Sequence, residues 1–273
     1  MKDGRTEIDM IKLIASDLDG TLIPPNHSRP TDKTLELIHE LSLKGVHFIS
    51  ASGRQYASQK NVFGPLSNEI SFISESGAIC VHNDKIIYNQ SLSNNTAYKI
   101  IKKILKDNKY DMIISCLNKC FIENKHPEFQ SLITNALQNS FEIIDDLTTI
   151  NEPVYKIALY DNYNNYENFI KYMNDLKKEY GKDVKIMTSG SKWMDFICKD
   201  VNKGNALEKF IKLFNVSKEQ CVVFGDEYND VEMLSLIPNS FAMNTCAKGV
   251  EKFASYQTES VEIILEKILY ALP

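Results

Sequence analysis

No apolar run in this sequence approaches the roughly 20 residues needed to cross a bilayer, so a helical membrane protein is not expected. The opening stretch, MKDGRTEIDMIK, mixes charges and lacks an apolar signal region, and the expectation is a soluble, cytoplasmic chain without a membrane partner. Positive charge is short. The 31 Lys and Arg against 36 Asp and Glu leave a net charge of −5, and phosphate contacts to nucleic acid need clustered Lys and Arg, so no nucleic-acid partner is expected. Cysteine is sparse: Cys80, Cys116, Cys120, Cys198, Cys221 and Cys246 are too scattered for a disulfide framework. Cys116 and Cys120 lie close, with His126 just beyond. A zinc site would need a fourth ligand and more regular spacing, so these read as buried thiols. The histidines, His27, His39, His47, His82 and His126, show no metal-ligand spacing either. Repeats and low-complexity tails are absent. A 43% share of hydrophobic residues and 25% of charged ones exclude wholesale disorder, and 273 residues suffice for one large domain or two modest ones.

The apolar pattern is that of an α/β protein. Ile11 to Ser16 is a short apolar run ending at Asp17. Thr31 to Lys44 places Leu35, Ile38 and Leu41 at helical spacing and stops at Gly45. Val46 to Ala51 and Ile70 to Ser74 are further apolar runs, so strand, helix and strand alternate as in parallel βαβ units. Between about Asn83 and Ser189 the character changes. Asn, Tyr and Lys become frequent, and helical stretches (95–106, 166–180) mix with strand-like ones (112–116, 120–123, 155–160, 184–188), which suggests an antiparallel α+β sheet. The α/β pattern then resumes with a helix at 204–214, a strand at 221–224, a helix at 231–236, short strands near 240–243 and 254–257 and a closing helix at 260–272. The expected architecture is a doubly wound, mainly parallel, Rossmann-like core of residues 1–82 and 190–273, with residues 83–189 as an inserted α+β domain.

The strongest chemical signal is DLDGTL, Asp17 to Leu22, directly after the first apolar strand. Two carboxylates two residues apart at the carboxyl end of a buried parallel strand sit where such sheets bind ligands, and Gly20 permits a turn few other residues would. The second strand ends in Ala51-Ser52-Gly53-Arg54, where a hydroxyl beside glycine can offer O–H and N–H donors to an anion. Val201-Asn202-Lys203-Gly204 precedes a helix and can bring a point charge to a phosphate. The strand at 221–224 runs into Gly225-Asp226-Glu227-Tyr228-Asn229-Asp230. Crowding Asp17, Asp19, Asp226 and Asp230 raises pKa values and costs stability unless a cation intervenes, and hard oxygen donors suit Mg²⁺. With Lys203 and Ser52 the set forms an electrostatic cradle for phosphoryl transfer, in which a carboxylate can act as nucleophile.

DLDGTL, ASGR, VNKGNAL and GDEYNDVEML, in this order, resemble the four motifs of the haloacid dehalogenase (HAD) superfamily of phosphatases. SESGAI, YKIALY, KGNAL and NDVEML are closer still to its Cof-like subfamily of small-molecule phosphatases, whose α+β cap is inserted between the second and third motifs. The resemblance spans nearly the whole chain. It implies that Asp17 is the nucleophile and Asp19 the general acid/base. It implies Mg²⁺ held by the Asp17 carboxylate, the Asp19 carbonyl and the Asp226 carboxylate, with Asp230 in support. Phosphate contacts would come from the Leu18 N–H, Ser52, Gly53, Lys203 and Asn229. The chain departs from relatives at Ser52, where Thr is common and the hydroxyl is kept, at Ser76-Gly77-Ala78 in place of Asn-Gly-Ala, and in a shorter segment after the fourth motif.

The implied activity is Mg²⁺-dependent hydrolysis of small phosphorylated metabolites, sugar phosphates or phosphorylated cofactors, through an aspartyl-phosphate, by a monomer or weak dimer. The inserted cap would open and close over the Asp17 site on hinges near Asn83 and Ser189 and select the substrate. A sugar phosphomutase would share the nucleophile. A receiver-like phospho-accepting switch would share the strand-end Asp, Mg²⁺, hydroxyl and Lys, but such a switch has no use for an Asp19 that discharges the phospho-enzyme. Trp193, near the expected junction of cap and core, reads as a packing residue rather than a stacking platform for substrate.

Overall fold

The computed structural model describes residues 11–117, 119–123, 125–135, 141–188 and 192–273. Along the chain, β1 (Leu13–Ser16), α1 (Asp32–Leu43), β2 (His47–Ala51), α2 (Tyr56–Phe63) and β3 (Ser71–Ser74) are followed by β4 (Ile79–His82) and β5 (Lys85–Asn89). The inserted stretch holds α3 (Asn94–Asp107), β6 (Asp111–Ser115), β7 (Cys120–Glu123), α4 (Pro127–Asn135), β8 (Phe141–Ile144), β9 (Lys156–Tyr160), α5 (Tyr166–Tyr180), β10 (Val184–Thr188) and β11 (Trp193–Cys198). The chain then forms α6 (Lys203–Leu213), β12 (Cys221–Gly225), α7 (Val231–Leu236), β13 (Asn239–Met243), β14 (Tyr256–Thr258) and α8 (Val261–Ala271).

These elements divide between two compact units, one of residues 11–52, 59–88 and 202–273, the other of residues 53–58 and 89–201, as far as they are described. The first is a doubly wound α/β core. Its sheet runs β14-β13-β12-β1-β2-β3-β4-β5, with every pair from β14 to β3 parallel and β4 antiparallel to β3. Alternate residues of the central strands face opposite ways. Leu13, Ala15, Ile49, Ala51, Ile73, Cys221 and Val223 pack with Ala206, Leu207 and Phe210 of α6 and Met233 and Leu234 of α7. Each such large apolar side chain contributes about 1.5–3 kcal/mol on burial. α1 begins at Thr31, whose hydroxyl accepts from the Thr34 N–H. It ends at Gly45, whose φ of +81° suits glycine. α1 packs against α8, where the Thr31 and Thr34 hydroxyls both donate to Glu262.

The second unit is built on a six-stranded sheet, β10-β11-β9-β6-β7-β8, antiparallel throughout except for β7 beside β8. Met112, Ile114, Ile157, Leu159 and Phe196 bury one face under α3 and α5. Ile113, Ile122 and Ala158 bury the other against Phe129 and Ile133 of α4. Trp193 lies 4.7 Å from the Tyr160 ring and 6.3 Å from Phe129, an aromatic cluster that packs α4 on the sheet.

The sequence pattern returns the chain to the core at residue 190. In the structure β11 pairs with both β9 and β10, which keeps the second unit running to Val201. An apolar strand fits either sheet by pattern, and only its partners decide. The expected hinge at Ser189 lies outside the described residues. All six cysteines are free, and Cys116 and Cys120 are buried.

Candidate active site

β1 lies between β12 and β2, with Ser16 opposite both Phe224 and Ser50. The chain leaves β1 toward β2 and leaves β12 toward β13, in opposite directions across the sheet. Asp17 therefore emerges at a topological switch point, where open α/β sheets bind ligands. Its N–H donates to the Phe224 carbonyl at 3.0 Å, which sets the loop after β1 beside the loop after β12. The turn that follows is held by Ile23 N–H to the Leu18 carbonyl at 2.7 Å and Leu22 N–H to the Asp17 carbonyl at 3.3 Å. Gly20 takes a φ of +87° within it.

Lys203 is the first residue of α6. Asn202 caps that helix, its side chain accepting from the Asn205 N–H at 2.7 Å. An ammonium at a helix N-terminus opposes the helix dipole, and Lys203 is also fully buried. Two carboxylates offset both costs: Nζ donates to Asp17 Oδ1 and, at 2.6 Å, to Asp230 Oδ1. The other Asp230 oxygen accepts the Asp226 and Glu227 N–H groups at 3.0 and 3.1 Å. Asp230 is thereby committed to Lys203 and to the loop that carries Asp226.

Asp226 accepts from the Thr21 hydroxyl at 2.7 Å, a contact between the loops after β12 and β1. Thr21 stands inside DLDGTL without a role assigned from sequence, and its place in that motif was the available signal. Gly225 was also passed over: a β-carbon there would fall 2.5 Å from Asp230 Cβ.

Burial pushes the Asp17 carboxyl well above the ordinary range; Lys203 opposes this, while Asp230 and Asp226 add to it. Burial also pushes Asp226 up to about 6, with the Thr21 hydrogen bond opposing and Asp230 adding. Burial lowers the Lys203 ammonium, but Asp17 and Asp230 outweigh it and hold it above its usual value.

The structure brings together Asp17, Lys203, Asp226 and Asp230. Asp19 has an exposed side chain outside that cluster. Leu18 and Ser52 are buried, and the Ser52 N–H donates to the Ile73 carbonyl at 2.9 Å. Gly53 belongs to the second unit, where its carbonyl accepts from Lys156 Nζ. Asn229 is half-buried and its Oδ1 finds no hydrogen-bond partner among the described residues.

The donor set fits a hard divalent cation. Oxygens of Asp17, Asp226 and Asp230 lie within 4.8 Å of one another, and like charges so close raise one another's pKa unless a cation sits among them.

A sequence model of the haloacid dehalogenase-like hydrolase family matches residues 14–264. The chain is 26% identical over 265 residues to the 5-amino-6-(5-phospho-D-ribitylamino)uracil phosphatase YbjI of Escherichia coli, covering 95% of this chain and 96% of that protein. The structure of SMU.1108c from Streptococcus mutans superposes with a TM-score of 0.85 at 22% identity, covering 95% of this chain and 99% of that one. The HAD subclass IIB sugar phosphatase BT4131 superposes with a TM-score of 0.80 at 19% identity, covering 94% and 98%.

Proposed function

The chain belongs to the haloacid dehalogenase-like hydrolases and is a phosphatase, and from that premise we propose that it hydrolyses small phosphorylated metabolites through an aspartyl-phosphate on Asp17, with Mg²⁺. The observation that carries this reading is the buried Lys203 ammonium held between Asp17 and Asp230, with Asp226 in the same cluster of oxygens. Such an array is costly to fold and useful where a dianionic group must be received beside a nucleophilic carboxylate.

Asp17 attacks phosphorus, and the bond from phosphorus to the leaving oxygen breaks. Asp19 gives that oxygen a proton; its exposed side chain suits exchange with solvent. In the second step Asp19 takes a proton from water as the water attacks phosphorus. The bond to the Asp17 oxygen breaks and inorganic phosphate leaves. Lys203 opposes the effect of burial and so favours the ionised form of Asp17, it neutralises charge on the phosphoryl oxygens, and Asp230 holds it in place. Asp17, the Asp19 carbonyl and Asp226 are the groups to hold Mg²⁺, which supplies charge neutralisation for the transferring phosphoryl group. Ser52, Asn229 and the Leu18 N–H complete the phosphate contacts.

A relative named for a phosphorylated ribityl compound supports this substrate class, and a protein of the same fold is named a sugar phosphatase. Among the described residues no helix is long and apolar enough to cross a membrane. Six free thiols suit a reducing compartment, and we place the enzyme in the cytoplasm. The expected 83–189 insertion shifts to residues 89–201, since β5 stays with the first sheet and β11 with the second, and this stretch acts as the substrate-selecting unit.

The test is a screen of phosphorylated sugars, polyols and cofactors for phosphate release, with and without Mg²⁺, on the wild type and Asp17→Asn. Metal-dependent release that Asp17→Asn abolishes is expected. Full activity after exhaustive chelation, or isomerised product without free phosphate, overturns the reading.

A further inference from the structure

The connection from β3 to β4 is strained and buried. Glu75, Ser76 and Gly77 have φ of +50°, +57° and +110° in succession. Positive φ at Glu and Ser costs of order 1–3 kcal/mol each, and all three residues are buried. β3 and β4 are antiparallel neighbours, and hairpin turns with positive φ ordinarily place Gly, Asn or Asp there, not Glu and Ser.

What the turn reaches is the candidate active site. The Ser76 N–H donates to the Ser52 carbonyl at 3.0 Å. On the other side Gly77 abuts the start of α6. A β-carbon at Gly77 would lie 2.4 Å from the Asn202 carbonyl oxygen and 2.6 Å from its carbon. Asn202 caps α6 and Lys203 is the next residue. Backbone cannot swing aside as a side-chain tip can, so a side chain at 77 would lift the helix start and Lys203 with it.

We propose that the Glu75–Gly77 turn positions the phosphate-binding groups: Gly77 sets the height of the α6 N-terminus, and so the reach of Lys203 to Asp17, while Ser76 ties the end of β2 to the same turn. Gly77 is a positioning residue that acts through Asn202 and Lys203. The proposal rests on the phosphatase reading for its kinetic readout and on geometry alone for its structural one.

The experiment compares Gly77→Ala with Gly45→Ala. Gly45 also has a positive φ, +81°, but a β-carbon there meets nothing within 4 Å. Both variants suffer backbone strain; only one pushes on α6. Expected are melting points lowered in both, kcat for an aryl phosphate reduced about 10- to 100-fold in Gly77→Ala, and kcat within about twofold of wild type in Gly45→Ala. A crystal structure of Gly77→Ala should show Lys203 Nζ withdrawn from Asp17. Unchanged kcat in Gly77→Ala, or an equal fall in both variants, overturns the proposal. Should Gly77→Ala not fold, Asn202→Ala loosens the same helix start without touching the turn, and unchanged kcat there overturns it equally. A wild type that releases no phosphate defeats the phosphatase reading instead; the position of Lys203 in the variant crystal then decides the inference by itself.

Discussion

Gly20 faces Asp226 so closely that a β-carbon on it would stand 2.4 Å from Asp226 Oδ2. The glycine of DLDGTL thus serves two needs, a φ of +87° and an empty space for a carboxylate that comes from the loop after β12. Gly20→Ala should force Asp226 away from Asp17. The expected result is a Mg²⁺ affinity lowered roughly 10- to 100-fold, as when other supports of a metal site are lost, and a kcat/KM lower by about 100-fold. Isothermal titration with Mg²⁺ and steady-state kinetics check both. Unaltered Mg²⁺ affinity would remove Asp226 from the ligand set.

Lys203→Met should unfold more easily as well as fail to turn over. It leaves Asp17 and Asp230 buried without their shared ammonium, a loss of about 3–5 kcal/mol for a broken buried pair. Mg²⁺ should restore part of that stability by taking over the neutralisation of Asp17. Thermal melts in chelator and in millimolar Mg²⁺ decide this, and a variant as stable as wild type in chelator would contradict the role given to Lys203.

In the metal-free protein Asp226 should produce a measurable pH dependence of stability. Its folded value of about 6 lies above the ordinary 3.8, so its contribution comes from the protonated form. That contribution is complete below the ordinary value and is lost as pH rises through about 6. The melting point of wild type minus that of Asp226→Asn, both in chelator, should therefore fall between about pH 4 and pH 6 and level off above. A difference that grows over that range has the wrong sign.

Substrate choice should travel with residues 89–201. Replacing them by the corresponding unit of a relative with another preference should transfer the donor's ranking of phosphorylated metabolites. Turnover of a small aryl phosphate, with little non-reacting surface, should change by less than about tenfold. A folded chimera that keeps this protein's ranking places specificity in the α/β unit.

Much of this arrangement was legible in the residues, because its signals are local. Asp17 follows a four-residue apolar strand, Thr31 caps α1, and Gly45 stops it. What stayed hidden depends on partners distant in sequence. Lys203 alone reads as a solvated loop lysine; its burial follows from Asp17, 186 positions away. α2, with the sequence YASQKNVF, lacks an apolar stripe of helical period. β5 is largely exposed, so KIIYN gives no clean alternation of buried and open positions. The strained turn at Glu75–Gly77 was invisible because Glu and Ser do not announce left-handed backbone. The sequence departs from relatives at that same place, with Ser76-Gly77-Ala78 where Asn-Gly-Ala is common.

The order of the first sheet also carries a timetable. β1 can pair with β2 soon after both leave the ribosome, but its other neighbour, β12, is encoded far downstream; Thr21 and Asp226, which join the two loops, are 205 residues apart. At about 5–20 residues per second, translation takes roughly 10–40 s to cover that distance. Through that interval the side of β1 that will meet β12 waits with its backbone donors and acceptors uncovered, while the second sheet, whose strands are all contiguous in the chain, can be completed. Asp17 is thus made long before the loop after β12 that completes its surroundings. A nascent chain stalled before Cys221 carries Asp17 without Asp226 and Asp230.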